Sequence, residues 1–194
     1  MQIAPGIDSS EWRTLQLDDP DSPDWDRAVE ILRTRICGRF TDAADFLIKT
    51  EESKPASERR FGFAVIAIDC LLIETLAAFR DGLEDTKGRS KEIFPKFLAT
   101  RPLFSKHFTQ AQAEQFYCEF RNGILHQAEV GGTGKIWSVG ELLREDSTKL
   151  IVNRTKFHEL LKMELREYIM ELRDKKNTTL RAKFRKKMDF ICRY

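Results

Sequence analysis

FGFAVIAIDCLLIETLAAF, residues 61–79, is the longest apolar stretch of the chain, and only Asp69 and Glu74 interrupt it. A membrane span needs about 18 or more apolar residues with few or no charges. With two carboxylates inside it, this stretch reads instead as a buried central helix from about Arg59 to Arg80, stopped by Gly82. A carboxylate in such a helix is costly unless it is paired. Asp69 and Glu74 therefore either have partners or lie on one wet edge of the helix.

Outward from this helix the pattern stays helical. Asp24 is placed to cap a helix that begins near Trp25, with Ala28, Ile31, Leu32 and Ile36 at helical spacing. Gly38 and Thr41 mark a weak point before a continuation over 42–50, and EESKPASE at 51–58 reads as a loop. A shorter helix covers about 91–99, with Pro95 predicting a kink or a late start. Thr109 caps the next, which carries Ala113, Phe116, Tyr117, Phe120 and Ile124. Two β-capable pieces, 135–139 and 149–152, could pair as a small hairpin. Asn153 then caps a strongly periodic helix to about Arg173, and a basic helix follows from about Thr179 to Phe190. The fold class is all-α, a bundle of four to five core helices with a small hairpin insertion.

The 194 residues suit one domain, 41% hydrophobic and 33% charged, with a net charge of only +2. Charge is nonetheless unevenly placed. Residues 1–30 hold eight acids against Arg13 and Arg27, and residues 175–194 hold eight bases against Asp189. The expected organisation is an irregular acidic arm over 1–21, a helical domain over 22–174 and a basic helix or tail over 175–194. A basic end attracts phosphates, and Lys183, Arg185, Lys186 and Lys187 are its RNA-binding candidates. The bland reading is a solvated face neutralised by the acidic arm.

Several chemistries find no support. The four cysteines form no C-x-x-C pair, so neither a zinc ribbon nor a thioredoxin-type site is signalled. No basic-then-apolar segment opens the chain, which leads us to expect a soluble cytoplasmic protein with free thiols and no membrane partner. GGTGK at 131–135 lacks the first glycine of a phosphate-binding loop and the Ser or Thr after its lysine. His107, His126 and His158 form no H-E-x-x-H or i, i+4 pair, so no metal and no cofactor are expected.

The remaining signal is FYCEFRNGILHQ, 116–127, in which four residues separate Arg121 from His126. A histidine can shuttle a proton near neutral pH, and an arginine can clamp a phosphate and stabilise its transition state. A metal-free ribonuclease needs those two groups when the 2′-OH attacks its own phosphate. The spacing alone is cheap, since Arg101 and His107 also fit it. On a straight α-helix Arg121 and His126 would point about 140° apart. They converge only if the helix breaks near Gly123 or a second chain completes the site.

These residues, with the aromatic run Phe116-Tyr117-x-x-Phe120 and the earlier Ile73-Glu74-Thr75-Leu76, resemble the HEPN superfamily, whose ribonuclease members carry R-x(4–6)-H. The likeness covers roughly residues 24–175. It implies a helical bundle that dimerises with two motifs facing one cleft, and metal-independent RNA cleavage leaving a 2′,3′-cyclic phosphate. It also implies roles as a toxin or antiviral effector, with a regulatory or antitoxin protein as a partner. Carried over, Arg121 would stabilise the scissile phosphate, Asn122 would orient it or fix the arginine, and His126 would be the general acid or base. Glu74 is the supporting residue, expected to pair with Arg121. Ala128 stands where some members carry a tyrosine that a partner nucleotidyltransferase modifies. The alternative function is a non-catalytic HEPN-like module for dimerisation or partner binding.

Overall fold

Apolar residues that recur all round a helix can be satisfied only by neighbours on every side. The computed structural model, which describes residues 1–193, builds those neighbours around α4 (Gly62–Asp81). The helix ends where Gly82 turns left-handed at φ +65°, and the backbone of Lys183 crosses 3.0 Å from where a β-carbon would sit. By length and composition α4 could cross a membrane, but 56% of its most apolar window is buried. It packs on α3 (Asp42–Thr50), α5 (Ser90–Thr100), α8 (Arg154–Arg173) and α9 (Thr178–Ile191). The chain is mainly helical, with two small sheets.

Several helix ends obey local chemistry. Thr109 and Gln112 form a reciprocal capping box at the start of α6 (Gln110–Phe116). Asn153 accepts the amides of Thr155 and Lys156 at the start of α8. Asp24 does otherwise. It is the first residue of α2 (Asp24–Ile36), and its carboxylate accepts the amide of Gln16 instead of the helix's own first amides. Pro95 sits inside α5, where it supplies no amide hydrogen.

Although 15–21 carry no helix or strand, residues 2–14 are not an irregular arm. They form a hairpin, β1 (Gln2–Ala4) with β2 (Ile7–Asp8), and a short helix, α1 (Ser9–Thr14). Ile3, Trp12 and Leu17 enter the same core as Phe184 and Met188 of α9. Acids dominate the composition of this segment, but its apolar residues are what the core takes up. The acids themselves meet the basic end: Asp18 pairs with Arg185 and Asp21 with Lys175. Arg181 donates to the carbonyls of Pro20, Leu172 and Arg173.

The expected hairpin is corrected too. β3 (Lys135–Trp137) runs parallel to β5 (Lys149–Asn153), and an unforeseen strand, β4 (Leu143–Asp146), pairs antiparallel with β5 on its other side. The crossing chain that a parallel pair requires is the segment containing β4.

A stack of aromatic rings ties α6 to α8. Phe116 lies parallel to Phe120 at 4.7 Å and to Phe157 at 5.1 Å, with Phe94 and Phe108 around it.

Candidate active site

α6 does not continue straight into the motif. At Tyr117–Asn122 it widens into a π segment, and α7 (Gly123–Gln127) follows. Such one-turn widenings are rare and occur often at functional sites. A second one, Cys37–Thr41, occupies the predicted weak point. There Gly38 is pressed against Pro5, whose Cγ lies 2.6 Å from where a β-carbon would be.

Gly123 is not the break that the spacing suggests. Its φ of −59° is helical. What it lacks is a side chain: a β-carbon would sit 2.5 Å from the Glu129 carbonyl oxygen and 2.6 Å from the Gly131 nitrogen. The turn after α7 folds back onto this glycine, held by the Gly131 amide on the Glu119 carbonyl at 2.7 Å. Ala128 ends α7 with φ +55°, a left-handed position that a non-glycine residue adopts at a cost.

The π segment presents Arg121 to α4. Its Nε donates to Glu74 Oε1 at 2.8 Å, and its Nη1 donates to Asn122 Oδ1 at 3.0 Å. Its guanidinium lies 5.6 Å from the centre of the Tyr117 ring. Glu74 is held from the other side, where Ser90 Oγ donates to Oε2 at 2.9 Å. The expected Glu74–Arg121 pair is therefore formed, with both side chains roughly five-sixths buried. Asn122 holds the arginine, and Nη2 makes no hydrogen bond to any described residue.

His126 is exposed on α7, and no hydrogen bond joins it to Arg121. Only the start of the Arg121–His126 interval lies in the π segment. From Gly123 onward the turns are α-helical and keep much of the divergence expected of an α-helix. The chain thus brings Arg121, Asn122 and Glu74 together and leaves His126 beside them without a bond.

Glu74 also borders a cavity of about 430 Å³, lined among others by Arg35, Arg39, Leu71 and Lys187. Burial and neighbouring Arg39 push the Arg35 guanidinium down to about 10, and burial lowers the Lys187 ammonium. Of the basic-end candidates, Lys187 donates to the Glu84 carbonyl, Arg185 pairs with Asp18, Lys183 crosses Gly82 and Lys186 is exposed. Arg101, the decoy, binds the buried Glu164 at 2.7 Å and has a structural task.

One buried pair escaped the sequence reading. His158 Nδ1 lies 2.7 Å from Asp69 Oδ1, with both side chains wholly buried. Burial pushes the Asp69 carboxyl up to about 6 against the pull of the His158 ring. Burial acts to lower the His158 ring, and the Asp69 carboxylate outweighs it and raises it. The available signals were a charge in the central helix and a histidine beside Phe157 on the apolar face of α8. Sealed from solvent, this pair ties α4 to α8. Among the described residues no group of three or more His, Cys, Asp or Glu is gathered closely enough to hold a metal ion.

Comparison with family models, with curated proteins and with solved structures returns no match to the chain.

Proposed function

We propose that the protein is a metal-independent endoribonuclease of the HEPN type, active as a homodimer. The observation that carries this reading is the restrained Arg121. Glu74 and Asn122 hold two of its nitrogens, Nη2 is left for a ligand, and the arrangement sits beside a cavity that three cations line. A guanidinium preset in this way stabilises the charge that develops on a phosphate without reorganising. The 2′-oxygen of RNA forms a bond to phosphorus and loses its proton to a general base. The bond from phosphorus to the 5′-oxygen breaks, and that oxygen takes a proton from a general acid. His126 serves one of these proton transfers.

The need for two chains rests on the same geometry. His126 makes no bond to the Arg121 of its own chain, so a symmetric partner that brings a second motif supplies the complementary group. An apolar surface suits such a partner. Ala64 and Leu71 are exposed on α4 and Ile68 between them is half-buried against α3, while Leu125 is exposed on α7, which also contacts α4. Phe46 on the adjoining α3 is 70% exposed. Lys187 lies in the cavity that Glu74 borders, which links the basic end to the path of the RNA.

The test is incubation of the purified protein with total and transfer RNA in EDTA, alongside Arg121→Ala and His126→Ala. Cleavage by the wild type alone, leaving cyclic-phosphate ends, is the expected result. Equal cleavage by all three proteins overturns the assignment. The second reading, a dimerising module without catalysis, is favoured by the absence of an Arg121–His126 bond. It predicts that His126→Ala leaves every activity intact while changes at Leu71 and Phe46 do not.

A further inference from the structure

The first turn of α4 lies twelve residues from Glu74, or about 18 Å along the helix axis. A separate cavity of about 320 Å³ opens there, lined among others by Ser57, Arg59, Gly62, Ile136, Trp137 and Arg154. Arg154, the first residue of α8, is the decisive group. Its side chain is only 2% exposed. Nη2 meets Glu51 Oε2 at 2.7 Å, but Nε and Nη1 have no hydrogen-bond partner. Buried donors left unpaired are costly, so an oxygen-rich ligand has an energetic place here.

The charge balance favours an anion. Glu51 is wholly buried, and it also accepts the amides of Arg60 and Phe61. Burial acts to raise its carboxyl, yet these amides and Arg154 hold it below the usual range, so it stays charged and neutralises one guanidinium only. Arg59 is the second. Its nitrogens donate to the carbonyls of Glu52, Lys54 and Ser138, and no carboxylate pairs with it among the described residues. Glu51 already holds the Arg60 and Phe61 amides, but no acid lies in the first turn of α4 itself, whose following amides favour a negative group. Ile136, Trp137 and Val139 supply an apolar wall, and Ser57 and Ser138 supply hydroxyls.

We propose that this cavity binds the phosphate of a small phosphorylated molecule, with the guanidinia of Arg154 and Arg59 and the start of α4 on the oxygens and the rest of the ligand against the apolar wall. The site takes no part in RNA cleavage at Arg121 and stands whether or not the chain is a nuclease. A phosphate monoester and free phosphate present the same chemistry, and the probes separate them. Titration calorimetry of the full-length protein with 5′-AMP, inorganic phosphate and adenosine is the experiment. Saturable binding of 5′-AMP with Kd below about 1 mM is expected, with adenosine at least about tenfold weaker. Inorganic phosphate binding as well as 5′-AMP would assign the cavity to the free anion. Weaker binding of phosphate would assign it to the monoester. Arg59→Ala and Arg154→Met should each weaken binding about tenfold or more. Arg154→Met strands buried Glu51, so if it does not fold, Arg59→Ala decides, with circular dichroism confirming its fold. The proposal is overturned if neither phosphate-bearing probe binds, if adenosine binds as well as 5′-AMP, or if the folded variants bind like the wild type.

Discussion

Replacing Glu74 by alanine removes the group that joins α4, the π segment and α5. The loss can be worked from its contacts. The Arg121–Glu74 bond is 2.8 Å long, with side-chain exposures of 17% and 14%. Exposed ion pairs contribute about 0.2–1 kcal/mol, whereas stranding one partner of a fully buried pair costs about 3–5 kcal/mol. A pair this far buried belongs between those limits, at about 2 kcal/mol, in line with hydrogen bonds to charged groups. The Ser90 hydroxyl on Glu74 adds about 1 kcal/mol to the single change. With a urea slope of about 2 kcal/mol per molar, a total of about 3 kcal/mol means that Glu74→Ala should lower the unfolding midpoint by about 1.5 M. The assay is a urea double-mutant cycle of Glu74→Ala and Arg121→Ala, which isolates the pair from the serine. A coupling near 2 kcal/mol is expected. Coupling below about 0.5 kcal/mol would show that the two groups do not hold each other, and the account of a preset arginine would fall with it. If the cleavage reading is right, Glu74→Ala also slows RNA cleavage, because a loosened guanidinium must be reordered at each turnover.

Three further outcomes follow from particular contacts. The Asp69–His158 pair binds protons more tightly folded than unfolded, because both groups are raised. Unfolding therefore releases protons, and the pair's contribution falls as pH rises, past 3.8 for Asp69 and past 6.5 for His158. The shift of Asp69 to about 6 corresponds to a change on the order of 3 kcal/mol. The stability of the wild type relative to Asp69→Asn should shrink between pH 4 and pH 8 in urea titrations, and a constant difference would contradict it. Gly123→Ala should destabilise by about 1–3 kcal/mol despite alanine's better helix propensity, because its β-carbon meets backbone at 2.5 Å and 2.6 Å; a thermal melt at or above the wild type would refute this. Phe116→Ala should cost about 3–5 kcal/mol by opening the aromatic stack, read as a lower urea midpoint.

The basic end shows how packing changes the meaning of a sequence feature. From the sequence alone, removing residues 175–194 is the direct test of whether the basic end binds RNA. Phe184 and Met188 are wholly buried, however, so that deletion would open the core. Exposed Lys186 is the cleaner target: Lys186→Ala should reduce the salt slope of RNA binding by about 0.7 if it meets a phosphate. The N-terminal segment departs from its irregular expectation over residues 2–14 for a related reason. Its acids dominate its composition, while the few apolar residues between them settle where it goes.

The motif divides in the same way. Arg121 and Asn122 are neighbours in the chain, and the hydrogen bond between them needs nothing else. The partner of Arg121 lies 47 residues away, and the sequence points to it through the resemblance and through the need of a carboxylate in the central helix for a partner. The equal demand of Asp69 went without a named partner, since His158, 89 residues on, looks from the sequence like any residue on an apolar face.

The sequence by itself determined what is local. The apolar course of α4, its stop at Gly82, the caps at Thr109 and Asn153 and the periodicity of α8 all depend on residues within about four positions of each other. Backbone hydrogen bonding and side-chain spacing specify such features before any packing occurs. Only the tertiary structure decided the π segment at Tyr117–Asn122, the parallel pairing of β3 with β5, the N-terminal hairpin that buries Ile3 and Ile7, and the Asp69–His158 tie. Each depends on which distant surface arrives opposite, and burial against that surface, not local propensity, sets the winning arrangement.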